Sequence, residues 1–139
     1  MNGQASCEAP EGDRRLILAL VMIGAAVGAP SRWLLDQAIQ SRRLSSFPLG
    51  TWTINVSGSL LLGLILGSAT FGPGTPEFVA LAGTGFCGGF TTYSTFGFET
   101  IRLVESGSYS QAGRYVVSSL GVGLAAAIAG WYLARALWA

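Results

Sequence analysis

Four apolar stretches, separated by short polar or turn-forming segments, make up most of the chain. They run from about Leu16 to Leu35, Leu49 to Thr70, Thr75 to Val104 and Tyr109 to Leu137. Because about 20 apolar residues cross a bilayer core as a helix, each stretch is long enough for one membrane span. The pattern predicts an all-α integral membrane protein with one four-helix transmembrane domain, 14–139, preceded by a polar, disordered tail, 1–13.

The third stretch departs from the ordinary pattern of a membrane helix. Its middle, Gly88–Phe96, reads GGFTTYSTF, so two adjacent glycines precede a group of hydroxyl and aromatic side chains. Lipid offers no hydrogen-bond partner, and non-helical backbone at that depth persists only when it is buried in protein or lines a polar path. We therefore expect a helix broken at mid-membrane near Gly88–Thr92, with the break serving ion permeation or ion binding.

Turn and cap residues define where the third stretch begins. The sequence Phe71-Gly72-Pro73-Gly74 is a strong stop and turn. Thr75, Pro76 and Glu77 then supply a cap residue, a proline for the first helical position and an acid for the first turn.

Composition excludes several classes of protein. Half of the 139 residues are hydrophobic and 11% are charged, against about 25% charged in soluble domains. A net charge of +1 gives no indication of nucleic-acid binding, and the chain has neither histidine nor lysine. A histidine-ligated metal site and a Ser-His-Asp triad are therefore excluded, and we expect no enzyme. Cys7 and Cys87 form no metal or disulfide pattern and are interpreted as inert.

The arginines are distributed almost evenly between the two ends of the predicted helices. With the N-terminus taken as cytoplasmic, one side carries Arg14, Arg15 and Arg135, and the other carries Arg42 and Arg43 with Arg102 or Arg114. Arginine asymmetry normally fixes orientation in the membrane. Its near absence favours insertion in both directions and pairing of two inverted copies about a two-fold axis. The alternative is that the local Arg14-Arg15 signal decides the orientation.

Neutral polar residues recur on three of the four predicted spans. Thr51, Asn55 and Ser59 follow at intervals of four, as do Tyr115 and Ser119, so each set shares one helical face; Tyr93, Ser94, Thr95 and Phe96 follow the break. Hydrogen bonding between helices and the lining of a pore both explain such residues, and the sequence leaves the two open. A continuous row of neutral donors and aromatic ring edges suits an anion that must enter and leave.

Two further residues have two interpretations each, and a third feature depends on a partner chain. Arg32, near one end of the first span, either draws anions to a vestibule or extends to the interface. Glu99, about two turns after the break, either lies at a pore end or pairs with an arginine. Carbonyl oxygens freed by the break, contributed by two inverted copies, would suit one monovalent cation without any carboxylate.

Three motifs, in order along the chain, resemble those of the bacterial dual-topology fluoride channels, the Fluc or CrcB family. They are Gly24-Ala-Ala-Val-Gly28 followed by Arg32-Trp33, then GTWTINVSG at Gly50–Gly58, and GFCGGFTTYSTF at Gly85–Phe96. The resemblance extends over about residues 16–137. It implies an antiparallel homodimer in the inner membrane, with two passive fluoride pathways for export and a central structural sodium ion.

The resemblance also implies roles for individual residues. The sodium ion would be held by the backbone carbonyls of Gly88 and Thr91. Tyr93 and Phe96 match the pore aromatics, Asn55 matches the pore asparagine, and Thr51 and Ser119, with Tyr115 nearby, match the polar track. This chain departs from the family in two places: Tyr93 stands where many members have phenylalanine, and Gly123 stands where some have a further serine.

Two other functions compete with a fluoride channel. A small dual-topology multidrug or cation exporter has a similar length and number of spans, but it relies on an acid in the first span, and Leu16 to Leu35 contains none. A structural membrane subunit, whose polar residues only hold helices together, would carry no ions at all.

Overall fold

The computed structural model describes residues 11–41 and 47–139, and every regular element in these two ranges is helical. The helices are α1 (Glu11–Gln40), α2 (Leu49–Phe71), α3 (Pro76–Phe78), a π-helix (Val79–Cys87), α4 (Gly88–Phe90), α5 (Tyr93–Glu105) and α6 (Tyr109–Trp138). Cys7, Arg42 and Arg43, together with most of the predicted tail, lie outside the described residues.

Three of the described helices, α1, α2 and α6, are long and apolar enough to cross a membrane. The predicted second and fourth spans agree with α2 and α6 to within one residue at each end. Helix α1 extends beyond its apolar stretch in both directions: it begins at Glu11, inside the predicted tail, and its last turn includes a hydrogen bond of 2.8 Å from Gln40 to Asp36. The third apolar stretch is divided into four short elements, none of them long enough to span alone.

Contacts between glycines and neighbouring backbones give the direction of each helix. Gly24 lies against Leu81, and Gly28 against Phe86 and Phe90, so α1 runs parallel to the third stretch. On the other side, Gly63 packs on Ala127 and Gly67 on Trp131 and Ala134, so α2 runs parallel to α6. Since α2 is antiparallel to the third stretch, with Gly58 beside Thr91 and Gly83 beside Ile65, the chain passes up, down, up and down.

Helices α2 and α6 approach each other backbone to backbone. A side chain at Gly63 would meet the Ala127 carbonyl, and one at Gly130 would meet the Leu60 carbonyl and, at 2.8 Å, the Leu64 nitrogen. Small residues allow this approach where lipid gives no hydrophobic drive for helices to associate. Helices α2 and α6 thus form one closely packed pair, and this pair carries the polar residues of both helices.

The third stretch begins as its sequence predicts. Thr75 is the cap residue of α3, its side-chain oxygen accepts a hydrogen bond of 3.3 Å from the Phe78 N–H, and Pro76 takes the first helical position. The sequence did not predict that Val79–Cys87 is π-helical. Segments of π-helix are rare, and those that occur often lie at functional sites. This one leads directly to the glycine pair.

We expect Gly130→Ala to destabilise the protein by about 1–3 kcal/mol, because the added methyl group has no space between α6 and the α2 backbone. Thermal unfolding in detergent, followed by circular dichroism, measures the change. Gly113→Ala on the same helix is the control: an added Cβ has no neighbour within 4 Å there, so stability stays level or rises slightly. Equal losses in both variants would contradict the close packing.

Candidate functional site

The helical backbone of the third stretch stops at Phe90 and resumes at Tyr93. Thr91 (φ −80°, ψ 162°) and Thr92 (φ −148°, ψ 125°) are extended. The interruption is narrower than the predicted range Gly88–Thr92, because Gly88 has helical angles (φ −64°, ψ −39°). Two residues therefore change the direction of the backbone, and the glycine pair precedes them within α4.

Asn55 on α2 binds the backbone of Thr92 through two hydrogen bonds. Its Nδ2 donates to the Thr92 carbonyl at 3.0 Å, and its Oδ1 accepts from the Thr92 N–H at 2.9 Å. Because one bond needs a donor and the other an acceptor, the pair fixes the orientation of the amide. In a continuous α-helix the Thr92 N–H would instead bind the carbonyl of Gly88.

The Thr92 side chain caps the helix that follows. Its hydroxyl oxygen accepts from the Thr95 N–H at 3.2 Å and lies 3.0 Å from the Thr95 hydroxyl and 3.3 Å from that of Ser94. In a continuous helix the Thr95 N–H would bind the Thr91 carbonyl. The cap therefore directs the Thr95 N–H away from the Thr91 carbonyl. Ser94 and Thr95 lie in the first turn of α5, which this cap begins.

An open cavity of about 580 Å³ lies beside the interruption. Six of the predicted site residues line it: Asn55, Gly88, Thr91, Tyr93, Phe96 and Ser119. Ser59 and Thr92 also line it, with apolar residues such as Leu62 and Val79, and among the described residues none that lines it is charged. The Ser119 hydroxyl oxygen is buried and has no hydrogen-bond partner within the described part of the chain, so it is available to a ligand.

A second group of predicted residues meets on the far side of Phe96. The Phe96 ring lies 5.2 Å from that of Tyr115, which is fully buried and donates a hydrogen bond of 2.8 Å from its hydroxyl to Glu99 Oε2. Thr51, 1% exposed, lies beside both Glu99 and Tyr115. Phe47, which the sequence analysis missed, packs edge-on against Tyr115 at 5.5 Å.

Glu99 also lines a second cavity, of about 570 Å³, between the ends of α1 and α5 and the start of α2. Its wall includes Gln40, Phe47, Gly50, Arg102, Ser106 and Ser108. The sequence left Glu99 with two interpretations, and it both binds Tyr115 and faces a cavity that Arg102 also lines. Side-chain contacts therefore run from Phe96 in the first cavity through Tyr115 to Glu99 in the second.

Tyr93 and Arg32 are placed differently from each other. Tyr93 lines the first cavity, and its ring centroid is 6.0 Å from that of Phe96, but the residue is 85% exposed. Arg32 is half-buried on α1, one turn beyond Gly28, and is not among the residues that line the two cavities just described. No feature of the sequence pointed to Phe47 as a site residue. Thr92 could have been identified, because it is a polar residue next to Thr91.

The oxygen atoms at the interruption belong mainly to the backbone. Within residues 11–41 and 47–139, no group of three or more Asp, Glu, Cys or His side chains is placed to hold a metal ion. The N–H groups that would bind the Gly88 and Thr91 carbonyls in a continuous helix are directed elsewhere, to Asn55 and to the Thr92 hydroxyl. Uncharged oxygen ligands of this kind suit a hard cation.

The fold and the site together define an all-helical, multi-pass membrane protein with a cavity of uncharged described residues beside an interrupted third segment. The chain belongs to the CrcB family: residues 19–131 match the family described as CrcB-like protein, Camphor Resistance (CrcB). It is 49% identical over 120 residues to "Fluoride-specific ion channel FluC 1" of Streptomyces avermitilis, covering 86% of this chain and 97% of that protein. It is 48% identical to the FluC 1 protein of Frankia casuarinae (86% and 96% covered) and 44% identical to FluC 2 of Bacillus subtilis (86% and 88% covered).

We expect Tyr115→Phe to lower stability by about 1 kcal/mol, because Glu99 loses the hydroxyl that donates to it inside the helical bundle. Thermal unfolding in detergent measures the loss. Tyr132→Phe makes the same chemical change on α6 at a side chain that is 59% exposed, and stability should stay within about 0.5 kcal/mol. An equal effect of the two substitutions would show that the Tyr115–Glu99 bond contributes nothing specific.

Proposed function

We propose that this protein is a passive, fluoride-selective channel that lets cytoplasmic fluoride leave the cell across the plasma membrane. The observation that carries the proposal is the cavity beside Thr91 and Thr92, whose described lining includes neutral hydrogen-bond donors and aromatic rings and no charged side chain. Membership of the CrcB family and the printed names of the relatives, fluoride-specific ion channels, support the same ion.

The proposed pathway follows the two connected groups of residues. Asn55, Tyr93, Phe96 and Ser119 would contact fluoride in the first cavity, and Thr51 and Tyr115 would carry it towards Glu99 and the second cavity. Amide and hydroxyl hydrogens can replace the lost hydration of the anion, and the positive edges of the aromatic rings add to this. Ser94 and Thr95 support the path through the Thr92 cap, and Arg32 remains predicted to draw anions to a vestibule.

Passive export follows from acid chemistry. Hydrogen fluoride is a weak acid that crosses membranes as a neutral molecule and ionises inside the cell. A pathway that binds the anion weakly enough to release it then lets fluoride leave down its electrochemical gradient. Within residues 11–41 and 47–139, no fixed positive charge lines the first cavity, which suits weak binding, and such a channel needs no enzymatic activity.

We propose a structural sodium ion at the interruption, held by the carbonyls of Gly88 and Thr91. The family resemblance selects these two atoms, and the N–H groups that would bind them in a continuous helix are directed to Asn55 and to the Thr92 hydroxyl, which leaves both carbonyls available. Two carbonyls from one chain are too few for a hard cation. The same pair from a second, inverted copy would double the number of ligands and place the ion between the two chains.

We further propose that two copies pair antiparallel, with the third stretch acting as a fourth span broken at mid-membrane and with one pore per chain. The arginines support insertion in both directions: Arg14, Arg15 and Arg135 lie towards one end of the helices, whereas Arg102 and Arg114 lie towards the other. The exposed ring of Tyr93, 85% accessible on the single chain, supports a partner beside the interruption.

Ion release from liposomes tests the function. Protein reconstituted in vesicles loaded with potassium fluoride or potassium chloride should release fluoride far faster than chloride when valinomycin carries the counter-charge. A coupled exporter would instead need an opposing ion gradient, and a purely structural subunit would release neither anion. Equal rates for the two anions, or none, would reject a fluoride-selective channel.

We expect Phe96→Ala to slow fluoride release roughly fivefold, since an aromatic contact to the ion or to Tyr115 contributes about 1 kcal/mol. Phe98→Ala is the matched control: it lies two residues along the same helix, with a side chain that is 65% exposed, and release should be unchanged. Fluoride release that is the same in Phe96→Ala as in the unaltered protein would remove this ring from the pathway.

A further inference from the structure

We propose that Asn55 couples the fluoride pathway to the sodium site, as a positioning residue that acts through the backbone of Thr92. This inference rests on the proposed function and goes beyond it, since it gives one side chain two separable tasks. The amide oxygen of Asn55 keeps the Thr92 N–H away from Gly88, and its amide nitrogen both holds the Thr92 carbonyl and borders the first cavity.

The first task follows from the hydrogen bonds at the interruption. The Thr92 N–H has two possible acceptors: the Gly88 carbonyl, as in a continuous helix, and Asn55 Oδ1, which it binds at 2.9 Å. As long as Asn55 holds the N–H, one lone pair of the Gly88 carbonyl has no helical donor. Removing the amide oxygen leaves the Thr92 N–H without a partner, and closing the helix onto Gly88 becomes the available way to satisfy it.

The second task depends on the number of hydrogens that an amide carries. Asn55 has two Nδ2 hydrogens, and one of them serves the Thr92 carbonyl at 3.0 Å. Asn55 also lines the 580 Å³ cavity together with Phe96 and Ser119. The remaining hydrogen is therefore the donor that this side chain can offer to an anion, in an orientation fixed by the two bonds to Thr92.

Substitutions at Asn55 separate the two tasks because they remove different atoms. Asn55→Asp keeps an oxygen that accepts from the Thr92 N–H but loses both amide hydrogens. Asn55→Ala loses the acceptor and the donors, and Asn55→Leu does the same while nearly preserving side-chain volume. Ser57→Ala is the control, because the Ser57 hydroxyl bonds only to carbonyls of its own helix, those of Thr53 and Ile54.

Two measurements on the reconstituted or detergent-purified full chain give the outcome. The first is the sodium concentration that gives half of the maximal rise in unfolding temperature, with sodium chloride exchanged for N-methylglucamine chloride. The second is fluoride release from liposomes at saturating sodium. The first measurement does not depend on ion flux, so it tests the sodium site even if release were to fail.

We expect Asn55→Ala and Asn55→Leu to need about tenfold more sodium, the factor that corresponds to one ordinary hydrogen bond, and to release fluoride more slowly. Asn55→Asp should keep a sodium requirement within about threefold of the unaltered protein while its fluoride release falls like that of the alanine variant. Ser57→Ala should change neither quantity. This split between Asp and Ala supports coupling through Thr92.

Two results would overturn the proposal. An unchanged sodium requirement in Asn55→Leu, with slowed fluoride release, would make Asn55 a ligand of fluoride alone. A sodium requirement that rises equally in the Asp and Leu variants would show that the Thr92 N–H is not the atom through which Asn55 acts. Failure of the proposed function has a different result, because the unaltered protein would then release no fluoride.

Discussion

A peptide group that leaves a helix inside a membrane must find another hydrogen-bond partner, and the site depends on how this chain meets that demand. Asn55 binds both polar groups of the Thr92 backbone, and the Thr92 hydroxyl takes the N–H of Thr95. These contacts satisfy the N–H groups of Thr92 and Thr95 while leaving the Gly88 and Thr91 carbonyls without helical donors. Lipid cannot supply such partners, so the interruption exists only because α2 passes beside it.

The rest of the fold keeps α2 in that position. Glycines bring α2 against α6 at Gly63 and Gly130, and they bring α1 against the third stretch at Gly24 and Gly28. Gly58 has no side chain where the Thr91 methyl group packs against α2. Close approach of backbones therefore does more than stabilise the bundle, because it sets Asn55 within hydrogen-bond distance of one particular peptide.

The lengths of the apolar stretches and the helix caps predicted much of this fold. Helices α2 and α6 end within one residue of their predicted limits, and the Thr75–Pro76 start was correct, because apolar length and local caps decide such features. A break was predicted over Gly88–Thr92, but its restriction to Thr91 and Thr92 and the two hydrogen bonds to Asn55 were not predicted, since they depend on which helix lies alongside. The same holds for Phe47, whose contact with Tyr115 joins residues distant in sequence, and for the π-helix, which has no local sequence signal.

The most direct test of this account is an experimental density map of the purified protein in sodium, at a resolution that shows backbone carbonyls. The account predicts extended backbone at Thr91 and Thr92, the Asn55 amide bonded to the Thr92 peptide, and density for one ion bordered by the Gly88 and Thr91 carbonyls of two antiparallel chains. A continuous helix from Pro76 to Glu105, with the Thr92 N–H bonded to Gly88, would contradict it.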